Sequence, residues 1–188
     1  MTASGAAGET AFKGAYIMRH SVIPALGLCV LLLSGPVLAD DAQANAIYDR
    51  MSKAYAEMDL ALMDKVYAPG AVYVPTEKSF GVIKGREEIL VGTKMTFEQV
   101  RKNGGKMQID FRITDRQTFG DLAADAGYFR FTALKPDGTQ GMVSYGKFVT
   151  MPAKQKDGSW AFASDMSGNA TPEAWEKAKP FPGARFDK

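Results

Sequence analysis

The chain has 188 residues, 46% of them apolar and 23% charged, which places it among globular proteins and excludes disordered and fibrous classes. The length fits one domain of about 150 residues plus an extra piece at one end. A formal net charge of +2 is too small to point to nucleic acid or an acidic membrane surface.

The extra piece comes first. From Met18 the chain reads MRHSVIPALGLCVLLLSGPVLADD: Arg19 near its start, an apolar run from Val22 to Leu33, and a close on Val37-Leu38-Ala39 with small residues at the positions a signal peptidase reads. This order predicts a secretory signal peptide cleaved between Ala39 and Asp40, with residues 1–17 as an extended n-region or a start codon assigned too early. A stable membrane anchor is not expected, because Pro24 and Pro36 interrupt the run and it falls short of the roughly 20 residues that span a bilayer. A periplasmic or secreted location follows. Cleavage would remove His20 and Cys29, and with Glu9, Lys13 and Arg19 also gone the net charge moves from +2 to +1. The exported chain then has neither histidine nor cysteine, which rules out disulfides, cysteine nucleophiles, Ser-His-Asp triads and histidine-ligated zinc. Acid–base chemistry would have to use Asp, Glu, Lys or Tyr. No cofactor and no metal are expected.

In the exported part, Ala44, Ile47, Tyr48, Met51, Ala54, Tyr55 and Met58 repeat at helical spacing, with Asp49, Arg50, Lys53 and Glu57 opposite. A short second helix is predicted from Asp59, as cap, to Tyr67, stopped by Pro69-Gly70. Ala71 to Pro75 reads as a short strand. A third helix starts near Arg86, carries Glu87 and Glu88 in its first turn, and ends at Gly104-Gly105. The period then becomes two: Met107, Ile109, Phe111 and Ile113 alternate with polar residues. Turns at Phe119-Gly120-Asp121, Pro136-Asp137-Gly138 and Lys156-Asp157-Gly158 divide the remainder into a four-stranded antiparallel meander. Thr171 and Pro172 open a short helix in the tail. The class is α+β, with helices on one face of the sheet. The domain is expected over 40–170, after a leader over 1–39, with a tail over 171–188.

Three segments in this order, AYAEMDLALMDKVYAPGAVYVP (54–75), GVIKGREEI (81–89) and YGKFVTMPAKQKDGSWAFASDMSGN (145–169), resemble the nuclear-transport-factor-2-like superfamily. The last resembles the C-terminal hairpin of its SnoaL-like subfamily. The resemblance implies a curved sheet wrapped around a long helix, a cone with an apolar pocket, and a homodimer through the convex face. The superfamily includes ketosteroid isomerases, polyketide cyclases and dehydratases, so fold alone does not define function. The isomerase base and oxyanion positions map onto Val74, Ser52 and Gly146, none of which can fill those roles.

Lys147 and Asp165 are the polar pair that the subfamily pattern emphasises. A hairpin centred near Asp157 would place them opposite each other on the convex side, either as an acid–base or anion-recognition pair or as a cross-strand ion pair worth about 0.2–1 kcal/mol. Asp115 is a further candidate carboxylate. Tyr48, Tyr55, Phe111, Phe131, Ser144, Phe148, Trp160 and Ser164 are expected to line the cone and contact a small apolar molecule. Met51, Met58, Met63, Met142 and Met166 read as gap-fillers. Arg112, Arg116 and Arg130 are interspersed with Asp110, Asp115 and Asp125, which argues against nucleic acid. The expected function is an exported small-molecule-binding domain, weakly catalytic or not at all; the alternative is an isomerase-, cyclase- or hydrolase-like enzyme working through a carboxylate.

Overall fold

The computed structural model describes residues 38–76 and 81–188, so the expected signal peptide lies outside the described residues up to position 37. None of the described helices is long and apolar enough to cross a membrane. Helix α1 spans Leu38–Glu57 and buries Ala44, Ile47, Tyr48, Met51 and Ala54, the stripe read from the periodicity. It begins earlier than that periodicity suggests. A tertiary contact accounts for the extra turns: Arg116 bonds the backbone carbonyl and the side chain of Asp41. Asp59 caps α2 (Leu60–Asp64), its carboxylate accepting from the amides of Ala61 and Leu62.

Strand β1 (Tyr67–Val74) starts four residues before the expected strand, and a two-residue β2 (Ile83–Lys84) pairs with it. Helix α3 (Arg86–Lys102) carries Glu87 and Glu88 in its first turn and Arg101 and Lys102 in its last, matching the helix dipole. The meander is β3 (Lys106–Phe119), β4 (Leu122–Leu134), β5 (Gln140–Lys154) and β6 (Trp160–Asn169). All six strands form one curved sheet in the order β2-β1-β6-β5-β4-β3, antiparallel except for β1 on β6. Register shifts at Ile113/Asp115, Thr132/Leu134 and Met151/Pro152 interrupt the long ladders, and such bulges bend and twist a strand. The sheet's concave side packs on α1 and α3, and the core between them centres on Ile47, Tyr48, Phe97, Phe111, Ile113 and Phe162.

Gly127 lies close against the neighbouring strand near the first bulge. A Cβ added to Gly127 would stand 2.2 Å from the carbonyl oxygen of Arg112. Backbone has to move to admit it, so Gly127→Ala should lose about 1–3 kcal/mol or more in urea unfolding. An unchanged midpoint would show that the two strands can separate freely there.

The tail does not stand apart. Its helix α4 (Pro172–Lys177), capped by Thr171 with Pro172 in the first turn, buries Trp175 completely against the outer face of the sheet. The Trp175 ring covers Arg112, whose guanidinium carbon is 4.3 Å from the ring centre, and lies beside Tyr145. Residues 181–187 then run along the edge strand β3, with bonds from Ile113 N to Arg185 O (3.0 Å) and from Asp187 N to Phe111 O (2.9 Å). An edge that would otherwise expose unpaired backbone groups is thereby covered.

Candidate functional site

Between the concave face, α1 and α3 lies a cavity of about 530 Å³. Its walls carry many aromatic rings, Tyr48 and Tyr55 from α1, Tyr67 and Tyr73 from β1, and Phe111, Phe129, Phe131, Tyr145, Phe148 and Phe162 from the meander, set among aliphatic and hydroxyl side chains. The inward alternation of β3, β4 and β5 delivers these rings, and several meet edge to face, as Tyr48 does with Phe111 and Phe162 (5.1 Å each). Ser144, Gly92, Thr96 and Asn169 are exposed cavity residues and mark its mouth.

At the inner end, Tyr48 donates to Asp125 (2.7 Å) and shares a 2.6 Å hydrogen bond with Thr150. Asp125 is fully buried and receives two 2.7 Å bonds from Arg116. Burial opposes the Arg116 charge, but the bonds and charge of Asp125, helped by Tyr48 and Asp41, together outweigh it, so Arg116 holds its proton more strongly than usual. Burial first, then the Asp125 charge, push the Tyr48 phenol well up, and it stays a donor. This network closes the cavity end rather than opening onto it as a charged site: its cavity-facing members are the neutral Tyr48 and Thr150, while Asp125 and Arg116 lie behind them.

Asp165 is the carboxylate among the described residues lining the cavity. It is 7% exposed and accepts a 2.7 Å hydrogen bond from the Tyr67 hydroxyl. Burial pushes its carboxyl up to about 6, the Tyr67 bond acting in the opposite direction. Burial and then the Asp165 charge push the Tyr67 phenol well up in turn. A carboxyl with this proton affinity, hydrogen-bonded at one oxygen in an aromatic cavity, can accept a proton or hold a donor near neutral pH.

The linkage to stability has a definite sign. The folded state keeps the Asp165 proton up to about pH 6, whereas the unfolded chain releases it near 3.8. Stability from this difference is complete below the unfolded value and is lost as pH rises through about 6, a change of about 3 kcal/mol. Asp165→Asn should therefore be more stable than the parent chain at pH 7.5 and lose that advantage at pH 4. Urea unfolding at the two pH values measures it; equal differences at both would show that Asp165 is not held this way.

The structure corrects the expected hairpin register. Lys147 lies opposite Gly168, and Asp165 lies opposite Thr150. Near the turn Lys154 pairs with Trp160 and Pro152 with Phe162, but beyond Ala163 the pairing has moved by one residue. One extra residue exchanges the faces of everything that follows. Asp165 thus points into the cavity instead of out, while Ser164, beside Met151, points out instead of in. Lys147 is exposed on the outer face, and the expected Lys147–Asp165 pair does not exist. Asp115 is exposed too and lies outside the cavity. Of the expected lining residues, Tyr48, Tyr55, Phe111, Phe131, Ser144 and Phe148 come together around the cavity. Trp160 is buried in the core but does not line it. The sequence places Tyr67 at a helix end and points to neither it nor Tyr73 as a lining residue, yet both line the cavity. Among the described residues, no group of three or more His, Cys, Asp or Glu side chains gathers as a metal site.

The isomerase positions are occupied by packing. The Ser52 hydroxyl donates to the Ile109 carbonyl at 2.8 Å. Gly146 lies beneath the Phe129 ring, whose nearest carbon would be 2.1 Å from an added Cβ. Val74 pairs with Met166 in the β1–β6 ladder.

A helix-backed curved sheet enclosing an aromatic cavity is the architecture of the nuclear-transport-factor-2-like proteins. The model of the SnoaL-like domain family matches residues 44–167, and the chain belongs to that family. No curated sequence matches it. Among solved structures, the Aln2 protein from a Streptomyces species superposes with a TM-score of 0.60 at 15% identity, covering 71% of this chain and 93% of that one. A nuclear-transport-factor-2-like superfamily protein from Salmonella enterica gives 0.57 at 16% identity, covering 71% and 94%. A ketosteroid isomerase-like protein from Erwinia carotovora atroseptica gives 0.53 at 16%, covering 71% and 98%. These likenesses establish the shared fold.

Proposed function

We propose that this is an exported SnoaL-like domain that takes a small, largely apolar molecule into the inner cavity, where Asp165 and Tyr67 meet its polar group. The observation that carries this reading is one carboxylate set among aromatic and aliphatic side chains in a cavity of about 530 Å³, within the usual size range of small-molecule sites. Export rests on the Arg19, Val22–Leu33 and Ala39 pattern, and secreted protein should begin at Asp40. Intact Met1 or Met18 on soluble cytoplasmic protein would refute export.

A second reading, proton transfer by Asp165, is favoured by its proton affinity near neutral pH. Native mass spectrometry of freshly purified protein separates the two. A co-purifying small molecule that stays unchanged supports binding alone. Its conversion, lost in Asp165→Asn, makes the domain an enzyme. Recovery of only empty protein that also takes up no added apolar molecule would overturn both.

The homodimer is proposed on the outer face left uncovered by α4, where Val149, Met151 and Met166 are exposed. Light scattering at micromolar concentration should give twice the monomer mass; a stable monomer contradicts it.

A further inference from the structure

We infer that the cavity selects molecules carrying a positively charged amine or ammonium group, seated against Asp165 and the surrounding aromatic rings. The inference rests on the binding reading above and adds the ligand's charge. Among the described residues lining the cavity there is no lysine and no arginine. Of the buried arginines, Arg116 is held by Asp125 and Asp41 behind Tyr48, and Arg112 is bonded to the tail on the outer face. Asp165 itself receives a neutral phenol from Tyr67, which is a weaker partner for a buried carboxylate than a charge.

The rings nearest this carboxylate suit a cation. Tyr73 is its neighbour in the parallel β1–β6 ladder, and both line the cavity. The Tyr67 and Phe162 rings lie 6.0 Å apart, and Tyr55 is close enough to Tyr67 to act on its hydroxyl. Aromatic faces attract an organic cation while excluding the water that would screen it. A bound ammonium would give Asp165 an opposite charge together with N–H donors, whereas an anionic ligand would add a like charge in a buried site. A neutral ligand gains the apolar walls but no ion pair.

Three probes of one shape isolate the charge: 1-aminoadamantane, 1-adamantanol and 1-adamantanecarboxylate, titrated calorimetrically at pH 7.5. The ammonium should bind roughly tenfold tighter than the alcohol, and the carboxylate weaker than either. At pH 5, where Asp165 holds a proton, the ammonium's advantage should shrink below about threefold. The other titratable groups lining the cavity are the phenols of Tyr48 and Tyr55 on α1, Tyr67 and Tyr73 on β1, and Tyr145 on β5; α3, β3 and β4 contribute none among the described residues. The same loss should appear in Asp165→Asn at pH 7.5, with circular dichroism confirming its fold. An alcohol that binds as well as the ammonium overturns the charge inference and leaves the binding reading standing. An advantage that survives both low pH and Asp165→Asn also overturns it, because the charge would then be recognised elsewhere. Failure of all three probes overturns both.

Discussion

Replacing Arg116 by methionine should cost about 3–5 kcal/mol of folding stability, read as a lowered urea midpoint with an unchanged slope. Asp125 is fully buried and takes both of its short ionic bonds from Arg116. Removing the guanidinium leaves a carboxylate with only the Tyr48 hydroxyl. It also releases Asp41, so the first turn of α1 should exchange its amide hydrogens faster. The pair as a whole is not expected to be so valuable, since burying two charges offsets most of their attraction. Arg116→Met combined with Asp125→Leu should therefore recover most of the loss. A single variant as stable as the parent would mean that Asp125 finds water or another partner.

Trp175→Ala should produce a loss of similar size, about 3–5 kcal/mol. The indole is wholly buried outside the main core, where it covers Arg112 and approaches Arg130 (5.2 Å to the ring centre). Phe186 stacks on the other part of Arg112, at 5.0 Å, and the Arg112 side chain donates to the carbonyls of Trp175 (2.6 Å) and Asp187 (2.8 Å). The variant therefore removes a large apolar side chain and uncovers a guanidinium at once. Residues 181–187 should loosen from the β3 edge, giving early hydrogen exchange at Ile113 and Asp187. Native-like exchange there would show that the edge pairing holds the tail without Trp175.

Much of this architecture is legible because simple periodicities carry it. The stripe Ala44, Ile47, Tyr48, Met51 and Ala54 and the alternation Met107, Ile109, Phe111 and Ile113 both face the core as their spacing implies. Turn residues likewise locate the meander's ends. The position of Asp165 was not legible from alternation, because a single unpaired residue at Ala163 reverses the face of every residue after it. Pro152 was the available signal, since proline within a strand often marks a bulge. Asp125 also left a trace: it occupies the inward series of Ala123, Gly127, Phe129 and Phe131, directly opposite Arg116. An acid on an inward face needs a charged partner, and the strand register supplies one. Tyr67 was hidden by Pro69-Gly70, which read as a stop between helix and strand although β1 runs through both.

On the proposed reading the inner cavity, and not the hollow on the outer face, receives the ligand. The outer hollow is lined in part by Thr114, Tyr128, Lys147, Val149 and Met166. Methyl NMR separates the two surfaces: Ile83, Ile89 and Ile109 report the cavity, while Val149 and Met166 report the outside. On titration with 1-adamantanol, the three isoleucine methyl signals should shift together to saturation while those of Val149 and Met166 stay in place. Shifts confined to Val149 and Met166, or none at any of the five up to the solubility limit, would contradict the claim.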